Sequence, residues 1–147
     1  MAKTEERVSI RIVTQIHDGQ RRERHTMAAE GRLFIGAGML VLRFDEPAKA
    51  DETPTSQQIK CTDTEMTVRR HGQVSMNQRF AIGVTTEGVY QTPEIRMPME
   101  TTTQHLTHEW DTDERKGEIQ LSYDLVLQGE ATGRYDMTIN MEEATRL

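Results

Sequence analysis

Polar and apolar positions alternate along most of this chain. In RVSIRIVTQI, residues 7–16, Val8, Ile10, Ile12, Thr14 and Ile16 occupy every second position, the period of a strand with one buried face. HDGQRRE, residues 17–23, carries a turn signal at Asp18-Gly19, and RHTMAAEG after it predicts the return strand of a hairpin that ends or bends at Gly31. From Arg32 the run RLFIGAGMLVLRF alternates imperfectly. Its Gly36-Ala37-Gly38 reads either as a turn or as a bend between short strands.

DEPAKADETPTSQQ, residues 45–58, is polar, acidic and proline-containing, and reads as a solvated connection. Beyond it the strand patterns QIKCT, MTVRR, VSMNQRFAI, GVYQT, MPMETTTQHLTH, EIQLSYDLVLQ and GRYDMTINM follow closely, separated by Asp, Gly and Glu. The last two form the clearest hairpin, with Ile119, Leu121, Tyr123, Leu125 and Leu127 inward, opposite Tyr135, Met137, Ile139 and Met141. The total is about nine strands and no convincing helix. Consecutive antiparallel strands leave two exposed edges unless the sheet curls, so residues 1–147 are expected to form a single antiparallel β-barrel of about 8–10 strands. A sandwich is the alternative.

Composition narrows the partners. A chain of 147 residues with 35% hydrophobic content supports one modest core in one domain. With 18 basic against 24 acidic residues the formal charge is −6, which opposes nucleic acid and anionic membranes, and neither is an expected partner. Cys61 is the lone cysteine, so neither an intrachain disulfide nor a cysteine-based zinc site is expected. MAKTEERVSI lacks the apolar stretch of a signal peptide, and the longest hydrophobic run is MLVL at 39–42; a cytoplasmic location is expected.

Residues 90–103, YQTPEIRMPMETTT, break the even texture. Pro93 biases Thr92 toward extended backbone, and Pro98 cannot donate to a ladder, so each proline belongs at an edge, a strand start or a bulge. The stretch reads as a turn entering a long strand. Ile95, Met97, Met99, Thr101, Thr103 and His105 then share one face, and Thr102, Gln104, Leu106, His108 and Trp110 the other, unless a bulge swaps them. An inward face that begins with methionine and ends with Thr and His suits an amphipathic ligand; methionines that merely fill core gaps are the plainer reading. Gln78 places an amide among Val74, Met76, Phe80 and Ile82, where it must find a partner, either a ligand or a group of the protein itself. Tyr90, Tyr123 and Tyr135 each offer an apolar ring with a hydroxyl handle, suited to a pocket, a core or a rim.

Other clusters carry less. In HLTHEWDTDE, residues 105–114, His105 and His108 lie three apart, which on a strand sends them to opposite faces and argues against a metal; the acids read as a solvated turn. RRERH at 21–25 reads as a solvated basic turn. Cys61 beside Ile59 reads as a small buried hydrophobe. No nucleophile elbow, phosphate loop or dinucleotide fingerprint is present, so no catalytic residue and no cofactor is assigned.

The positions Arg70, Gly72, Val74, Met76, Phe80, Gly83, Tyr90, Thr92, Pro93, Pro98 and Met99 resemble the pattern of the YwiB-like family of uncharacterised bacterial proteins. The likeness extends more weakly toward both ends, through Gly31 and the hairpin that begins at Gly117. One departure is Glu94-Ile95, where the family usually has an aromatic and a glycine, which predicts a remodelled turn. The resemblance implies a calycin-like barrel, similar to lipocalins, with no activity assigned. A barrel of that size either fills itself with side chains or holds one small ligand. The expectation is a non-enzymatic barrel that binds a small apolar or amphipathic molecule through Gln78, Tyr90, Met97, Met99, His105, Tyr123 and Tyr135. The alternative is an interaction or structural protein with a packed core, forming a homodimer or docking on another protein through an exposed edge near residues 90–103.

Overall fold

The computed structural model describes residues 4–144. Ten strands follow in chain order: β1 (Thr4–Asp18), β2 (Arg21–Gly36), β3 (Met39–Asp45), β4 (Ser56–Cys61), β5 (Glu65–His71), β6 (Ser75–Ala81), β7 (Thr85–Gln91), β8 (Arg96–Asp111), β9 (Lys116–Leu127) and β10 (Glu130–Glu143). Each pairs antiparallel with its sequence neighbours, and β1 closes on β10 through the register Val8↔Glu143 to His17↔Arg134. The result is a closed up-and-down barrel, so the sandwich alternative falls.

Turn chemistry sets the strand count. Gly36-Ala37-Gly38 is a turn: Gly36 pairs with Met39, and the two central residues, Ala37 and Gly38, have φ of 52° and 73°. Two left-handed residues in succession give the hairpin turn whose twist matches that of the flanking strands. Gln128 and Gly129 repeat the device between β9 and β10, with φ of 50° and 81°. Gly31 lies within β2, not at its end. A Cβ there would collide with the Arg43 carbonyl and the Phe44 side chain, so glycine lets β3 pack closely where it begins to pair with β2.

The wall is uneven in height. Call upper the end that holds the β1–β2, β3–β4, β5–β6, β7–β8 and β9–β10 connections. β2 pairs with β3 only from Gly31 to Gly36, so Arg21 to Glu30 rise above β3 and pair with β1 alone. Residues 90–103 are not a free edge: β8 pairs with β7 over Arg96–Thr102 and with β9 from Met99 downward. Among the described residues, upper β2 is a strand segment paired on one side instead.

Alternation sorts the two faces. Val8, Leu33, Leu42, Ile59, Met66, Ile119, Leu121, Ile139 and Met141 fill the lower interior and are almost fully buried. Cys61 is among the core residues. Arg11, Lys60, Arg79, Glu100 and Asp124 point outward and are exposed, which makes the outer surface a water-facing one. No helix among the described residues is long and apolar enough to cross a membrane.

Candidate functional site

Above the packed half the interior opens into a cavity of about 570 Å³, within the range of roughly 300–1,000 Å³ that small-molecule sites occupy. The side chains pointing into it come from alternate positions of nearly every strand: Ile12 and Thr14 of β1, Met27 of β2, Val68 and Arg70 of β5, Met76 and Phe80 of β6, Tyr90 of β7, Met97 and Met99 of β8, Leu125 of β9, Tyr135 and Met137 of β10. Its rim includes His25 and Thr26, both exposed, where β2 rises above β3. Phe80 and Tyr123 meet at 4.8 Å between ring centroids, and Tyr123 stacks on Tyr135 at 5.2 Å, forming an aromatic side of the cavity. Burial pushes the Tyr123 phenol above its usual range, and the neighbouring Tyr135 adds to the shift. Among the described residues no hydrogen bond to its hydroxyl contributes to that shift.

The polar side is concentrated on β4 and β5. Arg70 donates from Nε and Nη2 to the two carboxylate oxygens of Glu46, each at 2.8 Å, and Gln57 Nε2 donates to Glu46 Oε2 at 2.8 Å. Glu46 comes from the connection that reads as solvated in the sequence. Its ends are structural: Glu46 N–H donates to the Thr55 carbonyl at 2.8 Å, and Thr55 is buried. The middle of that connection, residues 47–54, is exposed throughout.

Five of the seven side chains expected to meet a ligand, Tyr90, Met97, Met99, Tyr123 and Tyr135, line this cavity together. Gln78 and His105 do not. Gln78 is fully buried in the wall, where its Nε2 donates to the Arg79 carbonyl at 3.0 Å, Thr86 Oγ1 at 3.1 Å and Thr101 Oγ1 at 2.8 Å. The β6–β7 ladder stops at Asn77↔Val89, and this amide fills the gap where the strands part. His105 is turned outward by a bulge between Thr103 and His105, after which Leu106 points inward. The gradient expected along Met97, Met99, Thr101 and Thr103 is therefore real on β8 but does not continue to His105. Its threonine end is buried, with Thr101 spent on Gln78 and Thr86.

The remaining candidates have local roles. His108 is half-buried, with Nε2 3.1 Å from the Thr62 carbonyl. Asp111 Oδ1 accepts N–H bonds from Asp113 at 2.9 Å and Glu114 at 3.0 Å, which closes the acidic turn. No group of three or more His, Cys, Asp or Glu among the described residues is placed to hold a metal ion. Arg21 and His25 both reach Glu23 at the start of β2. A larger concavity of about 1,050 Å³ lies on the barrel near the β8–β9 turn, but it is a broad groove with Arg11, Asp111, Asp113, Lys116 and Glu142 along it.

A family model described as a domain of unknown function, DUF1934, matches residues 10–139. The chain belongs to this family. It is similar to the "uncharacterized beta-barrel protein YwiB" of Bacillus subtilis (strain 168), with 27% identity over 143 residues, 97% of this chain and 98% of that protein. The crystal structure of the ywiB protein from Bacillus subtilis superposes with a TM-score of 0.82 and 26% identity, covering 96% of this chain and 94% of that one. In this DUF1934 barrel, Arg70, Met76, Phe80, Tyr90 and Met99, all positions of the pattern that carried the resemblance, line the cavity. Gly72, at φ 146°, lies against the Pro54 carbonyl where a Cβ has no room. The turn at Glu94-Ile95 closes through Thr92 N–H to the Ile95 carbonyl at 2.8 Å, and the strands on either side still pair as Gln91↔Arg96.

Proposed function

We propose that this barrel is a non-enzymatic binding protein that takes a small, partly apolar molecule into its upper cavity, in the manner of a lipocalin. The observation that carries the reading is the division of the interior: the lower half is packed solid, while Met76, Tyr90, Met97, Met99, Tyr135 and Met137 surround open space above it. Thioether and aromatic side chains adapt to varied apolar shapes. Tyr123 also lines the space, and Gln57 and Arg70 supply hydrogen-bonding groups at its rim. Native mass spectrometry of freshly purified protein, compared with the denatured mass, tests this. A non-covalent adduct of a few hundred daltons is the expected result. A bare mass, with no uptake from a panel of added amphiphiles, overturns it.

One observation favours a second reading, self-association: Arg21 to Glu30 of β2 pair on one side only, and such an edge can extend a sheet into a second copy. A dimer that dissociates when Thr26 or Ala28 is replaced by proline supports it; a monomer at all concentrations tested removes it.

A further inference from the structure

We infer that the cavity selects an uncharged amphiphile, with a head that both accepts and donates a hydrogen bond, over a carboxylate with the same apolar body. This rests on the preceding reading that the cavity holds a ligand. The decisive feature is that Arg70, the cation lining the cavity among the described residues, is already matched by an acid. Arg70 is closed on Glu46 through two contacts of 2.8 Å. The Arg70 and Glu46 side chains are only 22% and 11% exposed, so water screens the pair weakly.

A guanidinium has five N–H donors, and Glu46 takes up only two. Among the described residues Nη1 of Arg70 has no protein acceptor, and Gln57 gives one of its two amide N–H groups to Glu46 while its Oε1 has no protein donor. A head group at this rim therefore meets free N–H donors on Arg70 and Gln57 and one free acceptor, Gln57 Oε1, with no net charge to balance it. A carboxylate entering here gives up hydration, gains no uncompensated cation and approaches Glu46. A primary amide or an alcohol gives up less hydration and satisfies both groups.

The test is displacement of a neutral dye, Nile red, from the full-length protein at pH 8 by decanamide and by decanoate, both below their aggregation limits. Decanamide is expected to displace the dye at about tenfold lower concentration, the equivalent of one unpaired polar contact. In Glu46→Gln, shown to be folded by circular dichroism, Arg70 is left unbalanced, and the preference narrows or reverses. In the double variant Glu46→Gln/Arg70→Gln, which removes both charges and covers the case in which the single variant does not fold, the preference for the amide returns. Equal or tighter binding of decanoate by the unmodified protein overturns the selection but leaves ligand binding standing. A preference unchanged in Glu46→Gln overturns the role of the ion pair. Failure of the dye and both ligands to bind removes the cavity reading and this inference with it.

Discussion

Gln78 and Gly88 share one place in the barrel wall: the Gln78 Oε1 stands where a Cβ on residue 88 would be. The absence of a side chain at 88 lets the carboxamide of β6 lie in the gap beside β7 and bond Thr86 and Thr101. Gly88→Ala should therefore destabilise the fold by about 2 kcal/mol, as overpacking of a filled site does. Gln78→Ala opens the space, so the cost of Gly88→Ala should fall in that background, although the Asn77 carbonyl still crowds residue 88. Urea titrations of the four proteins in this cycle measure the coupling; additive losses would show that the two residues do not compete for the site.

Arg70 and Glu46 should be worth more as partners than either is worth alone. Arg70→Met leaves the Glu46 carboxylate in a place where its side chain is 11% exposed, with Gln57 as its remaining partner. A loss of about 2 kcal/mol is expected, discounted from the full cost of breaking a buried pair because Arg70 is partly hydrated. Replacing both, as Arg70→Met/Glu46→Leu, should recover most of that loss, since the carboxylate no longer has to be desolvated. Thermal unfolding of the single and double variants distinguishes this from an exposed pair, in which both single variants would be nearly silent.

Strand period and most turn signals are legible in the alternation of residues, because each is set by contacts between neighbours in sequence, whereas closure joins β1 to β10 at opposite ends of the chain and follows only from the need to cover two open edges. The bulge after Thr103 is not, since period-2 reasoning carries a face forward until something interrupts it; here the β8–β9 register shifts, and His105 turns to water. The partner of Gln78 was equally hidden, as it depends on β6 and β7 parting after Asn77. The cavity's polar rim could have been found. Arg70 follows Met66 and Val68 on the inward positions of one strand, the same signal of a polar group on an apolar face that singles out Gln78. Its partner Glu46 lies in a connection whose composition gives no sign that its first residue is held inside.

Tyr123 contributes to the core through its ring. The ring lies 4.8 Å from Phe80 and 5.2 Å from Tyr135, while the hydroxyl bonds no protein group among the described residues. Tyr123→Phe should stay within about 0.5 kcal/mol of the parent, because no protein hydrogen bond is lost. Tyr123→Ala should cost about 3 kcal/mol or more, the effect of emptying a buried aromatic site. The comparison is made from denaturant midpoints at equal slope. A large loss in Tyr123→Phe would mean that the hydroxyl has a structural partner after all.

Alkaline pH should weaken the fold through Cys61. Burial raises its thiol from the ordinary 9.0 to about 12, so the folded chain keeps a proton that the unfolded chain releases. A folded-state value raised above the unfolded one gives stability that is complete below pH 9 and lost as pH climbs toward 12. The contribution of this one group should amount to roughly 1.4 kcal/mol between pH 8 and pH 10. Tyr123 is shifted in the same direction and adds to the slope only at the upper end of that interval, since its ordinary value is 10.0. Cys61→Ala should therefore be less stable at pH 8, because it leaves a small void, yet lose less on going to pH 10 than the parent does. Urea melts at the two pH values give the difference directly. An identical loss in both proteins would show that the thiol ionises as readily in the folded chain as in the unfolded one, which its burial among Leu40, Ile59 and Met66 should prevent.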